Sequence, residues 1–308
     1  MKIYVNLAFL ENLFLSEEQT DRHFYMKRLL NSQQPGVEVI TDVDIEEAYK
    51  DPEKRPILRQ IAQRLPLTEA NFVADCQSES FHHSGEPKLV FADGVSLAID
   101  QQFGCFHAST VTLEKADFLF HAEELRMDGS QRDWSILKQI KHPCNALVLT
   151  DNYLFSSNQP LENIQSICVH LMPESLAELS FDLTIIGCDK NRDRIPLMTF
   201  YEPLLKYLQN QFSYPINLTI IRALHHDRYI FTNYYRIASG AGFALFENRK
   251  IPTTKQTTLN CKSVIYEGKL SSMHQNRKEE LAKCMSINRE NGEASGRLLG
   301  NKINRLLS

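Results

Sequence analysis

The chain is short of several things that would make its role obvious. No run of its 308 residues approaches the roughly eighteen consecutive apolar residues of a membrane-spanning helix. The opening Met1-Lys2-Ile3-Tyr4-Val5-Asn6 has no basic region followed by an apolar stretch and a small-residue cleavage site. A soluble, cytoplasmic protein with no transmembrane segment is therefore expected. The seven cysteines are odd in number, scattered, and never spaced as CxxC, which excludes zinc ribbons and dithiol redox motifs and predicts reduced thiols. Cys105 with His107, or Cys76 with His82 and His83, have metal-ligating chemistry, but buried Cys and satisfied core His are the commoner account of such residues. No metal site or cofactor is expected. GxxxxGK, GxGxxG and GxSxG are all missing, so neither a nucleotide-cradling loop nor a hydrolase nucleophile elbow has support. There is no internal repeat and no low-complexity tract.

What remains is a chain with 43% hydrophobic residues, enough to bury a full core in one large domain or two ordinary ones. A net charge of -4 does not describe a protein that coats nucleic acid by bulk electrostatics. The charge is uneven, however. Residues 248–308 hold 12 Lys or Arg against 5 Asp or Glu, an excess of seven, which leaves -11 for residues 1–247. This basic tail is either a solvated surface or a patch for phosphates or an acidic partner.

The second half alternates apolar runs with helical spacing. Strands are predicted at 145–150, 181–187 and 216–221, with helices over 161–171 and 198–212 between them and two further extended runs at 228–233 and 235–239. This order implies an α/β fold with a mostly parallel central sheet flanked by helices and an antiparallel edge, and ligand groups collect where such strands end. The first 140 residues read as a second α/β or α+β domain: helices over 12–30, 45–65 and 113–124, with short strands at 37–40, 89–92, 95–99 and 105–108. Gly129 to Asp133 has linker composition. The expected domains are 1–132, 133–250 and a basic extension at 251–308, whose last residues, rich in Asn, Gly and Ser, suggest a loosely held arm.

The most informative stretch is His226-Asp227-Arg228-Tyr229-Ile230-Phe231-Thr232-Asn233. If it is a strand, His226 and Arg228 project from one face and meet a single phosphate. Ser239-Gly240-Ala241-Gly242-Phe243, which follows, allows close backbone approach. The competing account is that His226 packs in the core and Arg228 pairs with Asp227 or a loop carboxylate. Two other segments lie at predicted strand ends. Asp151-Asn152-Tyr153 has the composition of a turn that satisfies free amides, and the loop Asp189 to Arg194 is either a solvated loop or a source of Lys190, Arg192 or Arg194 as additional phosphate ligands.

His225-His226-Asp227-Arg228-Tyr229-Ile230 with Thr232-Asn233 and Ser239-Gly240-Ala241-Gly242-Phe243 resembles the phospholipase D-like superfamily. The nearest pattern is the degenerate form in the C-terminal domain of proteins carrying a microtubule-interacting and trafficking domain. The likeness covers residues 145–250, and its sharp part is some twenty residues long. Catalytic members carry HxKxxxxD followed by a glycine-serine segment. Here His226 matches the His, Arg228 takes the Lys position, Asn233 the Asp position, and Ser239-Gly240 the small-residue segment in reversed order. The resemblance implies His226 and Asn233 as catalytic residues and Arg228, Thr232 and Ser239 as phosphate ligands, to which the reading of the 189–194 loop adds Lys190. Arginine grips two phosphate oxygens at once, so binding survives these replacements better than turnover, for which Asn233 supplies no charge. Tyrosyl-DNA phosphodiesterases of the same superfamily work with Asn at that place. No His-x-Lys or His-x-Arg occurs in residues 1–144, so a paired active site would need a homodimer.

The expected function is binding of phosphate or phosphodiester groups, of nucleic acid rather than lipid, within a bacterial, defence-related complex with a protein partner. Two alternatives are kept: a metal-independent homodimeric phosphodiesterase or nuclease, and a non-catalytic subunit that docks a protein or an anionic membrane.

Overall fold

A computed structural model describes residues 1–16, 20–31, 37–43, 46, 67–120, 122–156, 160–188, 196–265, 270–290 and 297–308. The expected helix over 45–65 lies almost wholly outside them. The chain is α/β, with two sheets. The first joins β1 (Lys2–Val5), β2 (Glu38–Thr41), β3 (Leu67–Glu69), β4 (Lys88–Phe91) and β5 (Phe106–Ala108) in the order β3-β2-β1-β4-β5, and every ladder is parallel. Its helices are α1 (Leu7–Leu15), α2 (Asp21–Asn31), α3 (Phe72–Asp75), α4 (Ile99–Phe103) and α5 (Asp117–Phe120). The single helix expected over 12–30 is two. The run 95–99 is a loop leading into α4, and the helix expected over 113–124 gives way at its end to a strand, β6 (Ala122–Met127).

The second sheet holds β6, β7 (Ala146–Thr150), β8 (Phe181–Gly187), β9 (Ile216–Arg222), β10 (Tyr229–Thr232), β11 (Tyr235–Ser239), β12 (Thr257–Ser263) and β13 (Leu298–Gly300), in the order β13-β9-β8-β7-β10-β11-β12-β6. Only β7, β8 and β9 run parallel, with helices α6 (Pro160–Leu171) and α7 (Met198–Gln211) as their crossovers. The remaining ladders are antiparallel, so this sheet is mixed rather than mostly parallel. The reason is connection length: a parallel neighbour requires a crossover of a dozen or more residues, whereas β10 and β11 are separated by Asn233 and Tyr234 alone.

Strands β7 and β8 read as continuous apolar runs because both faces are covered. On one face Leu147, Leu149, Leu183, Ile185 and Ile230 join the main core beneath α6 and α7. On the other, Ala146, Val148, Ile186, Ile221 and Phe231 pack under Leu281 and Cys284 of α8 (Leu270–Glu290) and under Leu306 and Leu307. The described parts of the tail, 251–265, 270–290 and 297–308, are therefore packed rather than loosely held, and residues 291–296 of the Asn-, Gly- and Ser-rich stretch lie outside the described residues. The tail adds two strands and the lid over one face, since leaving those apolar residues in water costs about 25 cal/mol for each Å². Sheet membership also crosses the expected boundaries at 132 and 250, because β6 precedes the first and β12 and β13 follow the second. Tyr234 ties the two sheets together: its hydroxyl accepts from the Phe106 amide and donates to the Lys88 carbonyl, each at 2.8 Å. Among the described residues, no helix is long and apolar enough to cross a membrane.

Candidate functional site at the carboxyl ends of the parallel strands

Strands β7, β8 and β9 all end on one edge of the second sheet, and the loop 223–228 lies there. Its backbone is held at successive points. The Ala223 amide donates to the Gly187 carbonyl (2.9 Å), the His225 amide to Asn152 Oδ1 (2.8 Å), and the Thr150 hydroxyl donates to the Asp227 carbonyl (2.9 Å) while accepting from the Tyr229 amide (3.1 Å). Residues 226–228 precede β10 and are not strand, so the strict alternation expected for them does not apply. His226 is exposed, and among the described residues no hydrogen bond or ion pair engages its ring. Arg228 is half-buried, lays its guanidinium 5.0 Å from the centre of the Tyr153 ring, and donates through Nη1 to the Gly240 carbonyl. No ion pair with Asp227 forms, and the buried histidine of the pair is His225, not His226.

The small-residue segment has an occupant already. Asp151, wholly buried at the end of β7, accepts hydrogen bonds from the amides of Tyr153 (Oδ1, 2.8 Å) and Phe243 (Oδ2, 2.6 Å). Burial pushes its carboxyl up, while those two amides and the nearby Arg228 hold it down. Gly242, at φ +85°, lets the segment close over this carboxylate, since a Cβ there would lie 2.5 Å from Oδ2. Ser239 is buried, and its hydroxyl donates to the Gly242 carbonyl (2.6 Å). Asp151 and Asn152 thus satisfy free amides, as their composition suggests, while Asp151 also anchors the segment read as a phosphate cradle.

Thr232 and Asn233 are not at this edge. Thr232 ends β10, Asn233 follows it, and both are buried. Asn233 Oδ1 accepts from the amides of Asn145 (2.9 Å) and Ala146 (3.2 Å), and its Nδ2 donates to Asn145 Oδ1 (2.9 Å). Thr232 Oγ1 accepts from the amides of Tyr234 and Tyr235 and donates to Nε2 of His142 (2.7 Å). The His142 tautomer follows, because Nδ1 must donate to the Ile140 carbonyl (2.7 Å). Both residues assigned here by resemblance thus have structural work at the start of β7. The structure brings together Arg228, Ser239 and Asp151, leaves His226 exposed on the neighbouring loop, and separates them from Thr232 and Asn233. Lys190 lies outside the described residues, as does the rest of 189–195.

Two further places were not legible in the sequence. The strand order of the first sheet puts a switch point between β1 and β4, where open parallel sheets bind ligands. It is filled by the chain itself: Asp93 accepts from Asn12 Nδ2 (2.8 Å), the Thr110 amide (2.8 Å) and the Thr110 hydroxyl (2.6 Å), and Asn6 binds the Asp93 backbone. A cleft of about 600 Å³ opens beside α6, lined by Arg132, Trp134, His170 and Arg249 among others, and contains none of the residues of the 223–228 loop. The metal-ligating residues in the first half are also engaged: His82 donates through Nε2 to the Cys76 carbonyl (2.7 Å) and faces the Cys105 thiol through Nδ1 (3.0 Å). In comparison with known proteins, no family model matches this chain and no curated protein matches it in sequence.

Proposed function

We propose that the chain has a phospholipase D-like second domain whose degenerate site binds phosphate or phosphodiester groups, with nucleic acid as their source. One observation carries the reading. An exposed imidazole, His226, and a guanidinium in no ion pair among the described residues, Arg228, stand on an immobilised loop where parallel strands end. A planar guanidinium that stacks on Tyr153 and spends one N–H on Gly240 keeps further donors for phosphate oxygens. Binding is favoured over turnover because Asn233 is committed to the backbone of Asn145 and Ala146, which leaves His226 without the orienting group that an attacking or protonating imidazole needs.

The test is fluorescence anisotropy with labelled single-stranded DNA, double-stranded DNA and RNA over about 50 to 300 mM salt. Affinity should fall as salt rises, and Arg228→Ala should weaken it about tenfold or more, the value of one charge-assisted phosphate contact. Binding that ignores salt, or an Arg228→Ala variant with unaltered affinity, refutes the proposal. Flotation with vesicles containing phosphatidylserine gives the other source of the same headgroup chemistry; retention there without oligonucleotide binding would reassign the site to an anionic membrane.

A further inference from the structure

The loop that presents His226 and Arg228 carries two other side chains, His225 and Asp227, which the phosphate reading does not use. Both lie toward α8, where Glu280 faces them. One ring nitrogen of His225 and one carboxylate oxygen each of Asp227 and Glu280 lie within 4.8 Å of one another. Among the described residues no hydrogen bond or ion pair explains this convergence. His225 is only 6% exposed, yet its Nε2 is buried without a hydrogen-bond partner, and Glu280 Oε2 is likewise buried and unpartnered. Among the described residues no ion pair joins His225 to either carboxylate. An orphaned buried nitrogen and an orphaned buried carboxylate oxygen each carry an uncompensated desolvation cost, and a shared ligand would remove both.

We propose that His225, Asp227 and Glu280 bind one divalent transition-metal cation of the zinc or manganese kind, which fastens the 223–228 loop to α8. A mixed imidazole and carboxylate donor set selects this class, because imidazole suits zinc and its neighbours whereas calcium and magnesium take oxygen alone. Bond lengths of about 2.1 Å place tetrahedral ligands about 3.4 Å apart, so the three groups need only a small closure from their present spacing. The charge balance is right for it. Two carboxylates face the site, and the nearest cation, Lys283, is bound to the other oxygen of Glu280 (Oε1, 2.7 Å) with its own side chain 57% exposed, leaving Oε2 for the metal. The backbone at both ends is already anchored, His225 through Asn152 and Asp227 through Thr150, so the two donors are held in place before any metal arrives. Three protein donors leave at least one coordination position for water or an anion oxygen.

This inference goes beyond the phosphate reading and does not depend on it. The full-length chain, stripped with EDTA and gel-filtered, is titrated with zinc and with manganese by calorimetry, and its cobalt form is read by visible absorption. One equivalent should bind, with the absorption of a low-symmetry cobalt site and a raised melting temperature. Asp227→Asn and Glu280→Gln alter partly exposed residues, and each should weaken binding by about tenfold or more. Lys283→Met, which removes a competing cation, should leave it intact or tighter. Arg228→Ala should bind metal as the wild type does, so failure of the phosphate site and failure of the metal site are read separately. No saturable binding, or binding indifferent to both amide substitutions in folded protein, overturns the proposal.

Discussion

Asp151 Oδ2 lies 2.6 Å from the amide nitrogen of Phe243, and the glycine preceding that phenylalanine has no room for a side chain against the same oxygen. A segment with the composition of a phosphate cradle is thus closed over a carboxylate of its own chain. The anion-binding logic of the glycine-rich segment is retained, with Asp151 as the anion.

Gly242→Ala should be among the more damaging single substitutions near the site. It forces a non-glycine residue to φ +85° and drives a methyl group to 2.5 Å from Asp151 Oδ2. Left-handed strain of about 1 to 2 kcal/mol and the repacking it demands together should cost about 2 to 4 kcal/mol. Urea denaturation monitored by circular dichroism gives the value, and a loss below about 0.5 kcal/mol would show that the segment does not close on Asp151.

Asn233→Ala separates fold from function. It leaves the amides of Asn145 and Ala146 buried without their acceptor, so stability should drop by about 1 to 3 kcal/mol for each unsatisfied group. Oligonucleotide affinity of the folded variant should not change, because Asn233 lies at the other end of β10 from Arg228. A loss of affinity comparable to that of Arg228→Ala would return Asn233 to the site.

The protein should lose stability in mild acid. Burial pushes the imidazoles of His142 and His82 from 6.5 down to about 4. In each case the folded state resists a proton that the unfolded chain accepts. The stability from the neutral ring is fully present above pH 6.5 and is lost progressively as the pH falls toward 4, by about 3 kcal/mol for a fully buried ring such as His142. Urea midpoints measured from pH 7.5 to 4.5 should fall steadily. His142→Gln should be less stable at pH 7.5 but show a shallower decline, and an equally steep one would place the acid sensitivity elsewhere.

Arg305 and Asp182 form a buried ion pair, Nε to Oδ2 at 2.9 Å, beneath the tail. Asp182 also accepts from the Arg305 amide (2.9 Å) and from Asn217 Nδ2 (2.9 Å). Removing one partner strands a buried charge, so Arg305→Ala should cost about 3 to 5 kcal/mol. The double variant Asp182→Asn with Arg305→Ala should recover part of that loss in a thermal melt series. Without any recovery, the penalty would belong to packing of the tail rather than to the stranded carboxylate.

The predicted strands at 145–150, 181–187, 216–221 and 235–239 agree with β7, β8, β9 and β11 to within a residue or so, because continuous apolar runs between polar breaks are a short-range signal. The same signal places helices α6 and α7. It fails at 113–124, where residues with helical spacing divide between turns, a short helix and the edge strand β6, whose six residues are defined by pairing with β12 more than a hundred positions away. It also misjudges the tail, whose exposed-looking composition hides Leu281, Cys284, Leu306 and Leu307 against the second face of the sheet.

By itself the sequence determined the α/β class and the presence, just past the third parallel strand, of an imidazole and a guanidinium two residues apart; the stretch from 226 to 228, read as strand, is loop. Tertiary structure alone decided which neighbours those groups have. Asp151 meets Phe243 across 92 positions, Asn233 meets Asn145 across 88, and Glu280 reaches His225 from a helix after the last hairpin. Backbone preference and apolar periodicity act over a few residues and can be read locally. Hydrogen bonds between distant segments depend on which sheet faces must be buried against each other, and that is settled only when the whole chain packs.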